Sequence, residues 1–286
     1  MAENPGGVIY DIGYQRYDGP RLGRLHARRA LFRHSLSGTF GIGRGGKAKI
    51  LPFAMLGIIT TAVIIVVATA SRTGVLPVRY DSLPWAFQVP ITLFLAVQAA
   101  EMLCRDRRFG VLPLYFSRPI RRDDYSIAKL AAMAAALFAL MGGPLVLLYI
   151  GSLFTVTHDV ADFRYQTGQF LLGLSNAGVN ALVLGALGLA VASFAKRRAF
   201  ATGAVIGVFI VSTTVGNILA SLPGRGLGYA RILDPFALLD GFKVWVLHGK
   251  AQAEIGTAGP LYGICTVVLF GLCCLILIAR YRKVRV

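Results

Sequence analysis

The chain has 286 residues, of which 56% are hydrophobic and only 15% charged, and its mean hydropathy is +0.64. Soluble domains carry about 25% charged and roughly 45–50% apolar residues, so a soluble enzyme and a disordered chain are both excluded. Lys and Arg outnumber Asp and Glu by 30 to 13, a net charge of +17 that in a soluble chain would suggest nucleic acid. Here the basic residues border apolar runs, so membrane topology and anionic lipid account for them and no nucleic-acid partner is expected. Three of the four cysteines share one apolar run and no Cys-x-x-Cys occurs, which indicates neither a disulfide framework nor a zinc or redox site.

The first 49 residues are mostly polar, with no early apolar segment of the kind that a cleavable signal peptide needs, so the first span is expected to direct insertion. Within residues 20–40, Leu22, Leu25, Phe32, Leu36 and Phe40 follow a helical period, while Arg21, Arg24 and Arg28 form a separate stripe. This pattern predicts a basic amphipathic helix lying on the membrane surface, its arginines on anionic headgroups. Gly41–Lys47 then imitates a phosphate-binding loop. Ala48 lacks the hydroxyl that would hold magnesium, however, and a membrane span follows, so the segment reads as a basic hinge.

Six apolar segments follow, over 50–70, 85–103, 127–150, 170–194, 199–222 and 259–279. Each is close to the ~20 residues that a helix needs to cross the hydrocarbon, and helices satisfy their own backbone hydrogen bonds there. The N-terminal segment, Cys104–Lys129, Lys196–Arg198 and the tail from Arg280 hold 23 Lys and Arg, against 7 in the other three loops. The positive-inside rule therefore places both termini in the cytoplasm. The domain organisation expected is a cytoplasmic segment over 1–49, a six-span domain over 50–280 and a short tail over 281–286. In the longest outer loop, Phe236, Leu239, Phe242 and Trp245 are spaced for a short helix at the outer interface, or for a loop resting on lipid.

Polar residues inside spans are costly and so informative. Asn176 and Asn180 are four apart and share a helix face; Thr213 and Asn217 lie in the next span, and Gln98 in the second. They either line a pathway for an amphipathic substrate or hydrogen-bond helix to helix. Gly203 and Gly207 offer a close-approach surface in the fifth span. No catalytic constellation and no metal-ligand set is evident. Asp123 and Asp124 are adjacent, about 100° apart on a helix, which suits two-metal chemistry poorly.

The loop between spans two and three carries more than a topology signal. It mixes both charge signs with Gly110, Pro113 and Pro119, and Phe109, Leu112, Tyr115 and Phe116 are spaced for a short helix with one apolar face. An apolar patch rimmed by charge indicates a docking surface for a cytoplasmic protein.

This segment resembles the second cytoplasmic stretch of permease subunits of type-2 ATP-binding-cassette (ABC) exporters, which typically runs E-R-E-x-G-T-L-x-x-L-L-x-x-P and ends in a basic residue and a lysine entering the third span. Asp106 and Arg107 match the opening acid and base, and Gly110 and Leu112 match the glycine and leucine. Ser117, Pro119, Arg122 and Lys129 match the remainder, whereas Arg108 and Val111 stand where the family has its second acid and its threonine. The resemblance implies an all-α polytopic membrane protein with six transmembrane helices, both termini inside, an amphipathic helix before span one and a coupling helix after span two. It implies a second permease, as a homo- or heterodimer, and separate cytoplasmic ABC ATPase subunits that bind the ATP and magnesium, with no cofactor on this chain. Phe109–Phe116 would make the contact, with Asp106, Arg107, Arg121 and Arg122 fixing register by charge, and Glu101 would pair with an arginine of the amphipathic helix. The location implied is the bacterial cytoplasmic membrane.

The function expected is thus the motor-less membrane subunit of an ATP-driven exporter of an amphipathic or lipid-like cargo, such as an antibiotic, a lipid or a peptide. The alternatives are an integral membrane enzyme, which would need paired carboxylates or a nucleophile and base at the membrane edge, and a membrane anchor or sensor that docks a cytoplasmic partner without transport.

Overall fold

The computed structural model describes residues 19, 23–111, 115, 120–157, 159–221, 229, 231–252 and 258–282. Helix α1 (Arg24–Thr39) precedes the spans and packs along the third of them. The apolar run predicted over 50–70 forms α2 (Lys47–Thr73), and those over 199–222 and 259–279 form α7 (Arg198–Ser221) and α9 (Gly259–Arg282). The runs over 127–150 and 170–194 form the longer α5 (Arg122–Thr155) and α6 (Val160–Phe194). Their helices continue past the apolar stretch because polar flanks satisfy the i to i−4 ladder equally well.

The apolar run over 85–103 falls in a bent pair of helices. A 3₁₀ turn (Tyr80–Ser82) and α3 (Leu83–Ala86) meet α4 (Gln88–Arg108) at a bend of 63°. Pro90 has no N–H to return to the Ala86 carbonyl, so the ladder is interrupted where the bend falls. By length and composition, five helices among the described residues can cross a membrane, and six if the bent pair is one span. The chain is an all-helical, multi-pass membrane protein.

α5 and α6 are the central antiparallel pair; α1 and α2 lie against α5, α4 sits against α6 and α7, and α9 closes on α6. Most of α5 and α6 is buried, whereas α2 and α7 turn most of their apolar surface outward. A further helix, α8 (Pro235–Leu247), occupies the opposite end from the basic loops. Asp234 caps it by accepting the Phe236 N–H at 3.1 Å. One side of α8 packs into the bundle, where Phe236, Leu238, Leu239, Asp240 and Lys243 are buried, while Trp245 and Val246 are exposed.

α1 buries Leu31, Ser35 and Thr39, with Phe32, Leu36 and Phe40 half-buried beside them, while Leu25 is exposed. The helix stops in a Schellman motif. Gly41, at φ +69°, donates to the Gly38 carbonyl, and Ile42 donates to that of Ser37 at 2.9 Å. The expected hinge is therefore a compact turn. A Cβ on Gly41 would lie 2.9 Å from the Ala48 backbone, whereas one on Gly43 (φ +76°) would meet nothing within 4 Å. Gly41→Ala is expected to destabilise the fold by about 1–2 kcal/mol and Gly43→Ala by less, as read from the thermal unfolding midpoints of the detergent-solubilised proteins.

Candidate functional site: the basic end of the bundle

The loop between spans two and three leaves α4 through a second Schellman motif. Gly110, at φ +60°, donates to the Arg107 carbonyl at 3.3 Å and Val111 to that of Asp106 at 3.2 Å. The motif glycine is thus the helix stop that turns the loop away from span two. Leu112, Phe116 and Pro119 lie outside the described residues. Phe109 is 67% exposed, and Tyr115 donates its N–H to the Val111 carbonyl and sets its ring 6.1 Å from that of Tyr125.

Asp106, Arg107, Asp123 and Asp124, which flank the loop, are engaged inside the chain. Asp106 is buried; its carboxylate lies 2.7 Å from Lys129 Nζ and accepts the Tyr125 hydroxyl at 2.8 Å. Lys129 also donates to the Met102 carbonyl at 3.4 Å. Arg107 donates to the Ser193 and Ala195 carbonyls at 2.9 and 3.3 Å, and Arg280 of α9 donates to Ser193 at 2.9 Å. Two guanidinium groups therefore occupy the otherwise unpaired carbonyls that end α6, where the helix dipole favours positive charge.

The adjacent aspartates at the start of α5 face different helices. Asp124 accepts Arg24 Nε and Nη2 at 2.5 and 2.8 Å and the Arg121 backbone N–H at 3.1 Å. Asp123 accepts Arg282 of α9 twice at 2.7 Å, and Arg122 donates to the Arg282 carbonyl. The hydrogen bond to Asp124 holds the Arg24 guanidinium above its ordinary range, against the pull of desolvation. The expectation for Glu101 needs correction: it pairs with Arg44, in the turn after α1, and with Arg198 of α7 at 2.8 Å. Asp124 takes the α1 arginines instead, because the start of α5 is what α1 packs on.

The polar span residues do not share one face of this chain. Asn176 and Asn180 are buried; Asn176 donates to the Asp81 carbonyl at 2.8 Å and Asn180 to Asn176 Oδ1 at 3.0 Å. Thr213 donates to Asp234 at 3.1 Å, Asn217 is exposed, and Gln98 lines a small cavity shared with Glu101 and Asp106.

Two features escaped sequence reasoning. At the far end, Lys243 is fully buried 2.6 Å from Asp240 and 3.6 Å from Asp81, and Arg79 forks onto Asp81 at 3.0 and 3.1 Å. The charged pair Asp240 and Lys243, three apart in an apolar run, was the available signal. At the basic end, a cavity of about 1250 Å³ opens among the ends of α4, α7 and α9. Its lining residues come from four separate stretches of sequence, so no local pattern announced it.

The family model described as "ABC-2 family transporter protein" matches residues 50–279, from the first apolar run to the last. No curated protein matches the chain.

Removing one member of a buried ion pair strands the other, at a cost of about 3–5 kcal/mol, whereas replacing both with apolar groups is close to neutral. Asp106→Ala is therefore expected to lower the unfolding midpoint steeply, with Asp106→Leu/Lys129→Met recovering most of the loss. Lys243→Ala, which leaves Asp81 and Asp240 to repel each other, is expected to destabilise the opposite end on a similar scale in the same thermal assay.

Proposed function

The chain belongs to the ABC-2 transporter family as a permease component, and from that membership we propose that it is the membrane subunit of an ATP-driven exporter. Separate cytoplasmic ATPase subunits, docked on the loop between α4 and α5, bind ATP with magnesium and hydrolyse the ATP. A second permease, identical or homologous, completes the translocation unit. The basic end faces the cytoplasm, as the positive-inside rule requires of 23 Lys and Arg against 7, in a bacterial cytoplasmic membrane.

The observation that carries this reading is the way the loop is rooted. Asp106, Lys129 and Tyr125 join the end of span two to the start of span three, and Arg107 joins that same root to the end of span four. A push delivered at Phe109 and its neighbours would be transmitted to three spans at once, where a flexible loop would absorb it. Closure of ATPase subunits needs such a rigid connector acting on a two-state packing of helices. The fit of a second copy is supported by α7, where a Cβ on Gly203 or Gly207 would meet nothing within 4 Å and Val211, Val215 and Ile218 are exposed. Cargo of amphipathic or lipid-like character follows from spans that carry amides and hydroxyls, with their few charges at the ends.

The test is affinity purification of the protein from its native membrane in mild detergent, with ATPase activity assayed on the eluate. An ATPase is expected to accompany the wild-type chain and to be lost, by tenfold or more in activity, from Phe109→Asp/Leu112→Asp. Both substitutions place charge on the face that the spacing assigns to docking. Absence of any ATPase from the wild-type eluate, or equal recovery with the variant, would overturn the coupling assignment.

A further inference from the structure

We infer that the cavity at the basic end is a binding site for the phosphate-bearing headgroup of an anionic lipid. The inference does not depend on transport and stands on the cavity's own chemistry. Eight cationic side chains and a single carboxylate, Glu101, line about 1250 Å³. Glu101 is already shared between Arg44 and Arg198, and Arg107 and Arg280 are bound to the carbonyls that end α6. Arg105, Arg108, Lys196 and Arg197 remain on the wall without a hydrogen bond or ion pair to any described residue. A wall that gathers this many like charges around one space is self-repulsive until an anion enters it.

A topology signal explains positive charge at this end, but not its convergence. Topology requires only that Lys and Arg flank the spans on one side, and charges splayed into solvent satisfy it. Here the last turn of α4, the link between α6 and α7 and the turn before α2 border one common volume with their cations, Arg108, Lys196 and Arg197 also meeting solvent. Helix α7 begins at Arg198, so the positive end of its dipole lies on the same wall. The glycine-rich turn whose spacing imitates a phosphate loop supplies Arg44 and Gly45.

The depth and surroundings of the site select a lipid over a soluble phosphate. The cavity lies where α4 ends and α7 begins, the level at which membrane spans meet headgroups. A second cavity of about 750 Å³ adjoins it, sharing Arg44, Gly45, Glu101 and Arg198, and continues between α2 and α4 past Leu51 and Val97. A phosphate in the basic chamber thus adjoins a cleft of mixed lining, where Ala48, Leu51 and Val97 offer apolar surface to an acyl chain beside Lys47 and Gln98, and Ile50 and Phe53 of the same helix are exposed. A phosphatidylglycerol-like lipid matches both halves.

Native mass spectrometry of the detergent-solubilised full chain, equilibrated with dioctanoyl phosphatidylglycerol, dioctanoyl phosphatidylcholine or inorganic phosphate, tests this. Phosphatidylglycerol is expected to bind the wild-type chain at least tenfold more tightly than either alternative. Arg105→Gln/Arg197→Gln is expected to weaken it by about tenfold or more. Arg29→Gln/Arg33→Gln, which removes the same charge from the exposed face of α1, is expected to change it less than about twofold. The cavity substitutions break no side-chain hydrogen bond or ion pair to a described residue, and the wild-type lipid comparison needs no variant. Equal affinity for phosphatidylcholine, saturation by inorganic phosphate alone, or equal losses in the two double variants would each overturn the assignment.

Discussion

The ion pair between Asp106 and Lys129 sets the geometry of the basic end. Both side chains are buried, so neither can recover its hydration, and the pair holds only while the end of α4 and the start of α5 stay in register. Tyr125 adds a hydrogen bond to the same carboxylate, and its ring lies 4.8 Å from that of Tyr281, which brings the last span into contact. The neighbouring Arg107 reaches the end of α6. Two adjacent residues thus fix four spans around one short loop.

Charge pairing recurs at both ends of the bundle. Inside a bilayer, apolar side chains gain little by meeting one another rather than lipid, so helix association depends on close packing and on polar contacts. This bundle concentrates its polar contacts at its two ends. At the basic end, arginines cap the carbonyls of α6 and clamp Asp123, Asp124 and Glu101. At the other, Lys243 draws α8 onto the turn at Asp81, while Asn176 reaches the same turn from α6. The buried amides of the spans serve this packing, and Asn180 lies one helical turn from Asn176 in support of it.

Positive charge in this chain therefore does three different things. Some of it flanks spans and orients them, some neutralises carboxylates and helix ends, and a remainder lines an open chamber. Net charge does not distinguish these uses, because each is defined by what stands opposite the side chain. Arg107 and Arg108 are neighbours and both line the chamber, yet only the first is bonded to the Ser193 carbonyl. The proposed lipid site and the proposed docking loop are consequently adjacent and share Phe109, which lines the chamber among its cations.

What the sequence determined by itself was whatever depends on local order along the chain. Spans announce themselves through about twenty apolar residues, and the loop motif through Asp106, Arg107 and Gly110 in fixed spacing. The helix before span one was legible from its period, and the bend at Phe87 would have been legible from Pro90. Tertiary structure alone decided which charges meet. Asp124 finds Arg24 one hundred residues away, and Arg280 and Arg107 converge on Ser193 from opposite ends of the sequence. At α8 chain order already set Asp240 one turn from Lys243, but only the fold brought Asp81, far earlier in the chain, within 3.6 Å of the same ammonium. Periodicity reports the face a helix offers, whereas the burial of a charge depends on a partner that the sequence does not place.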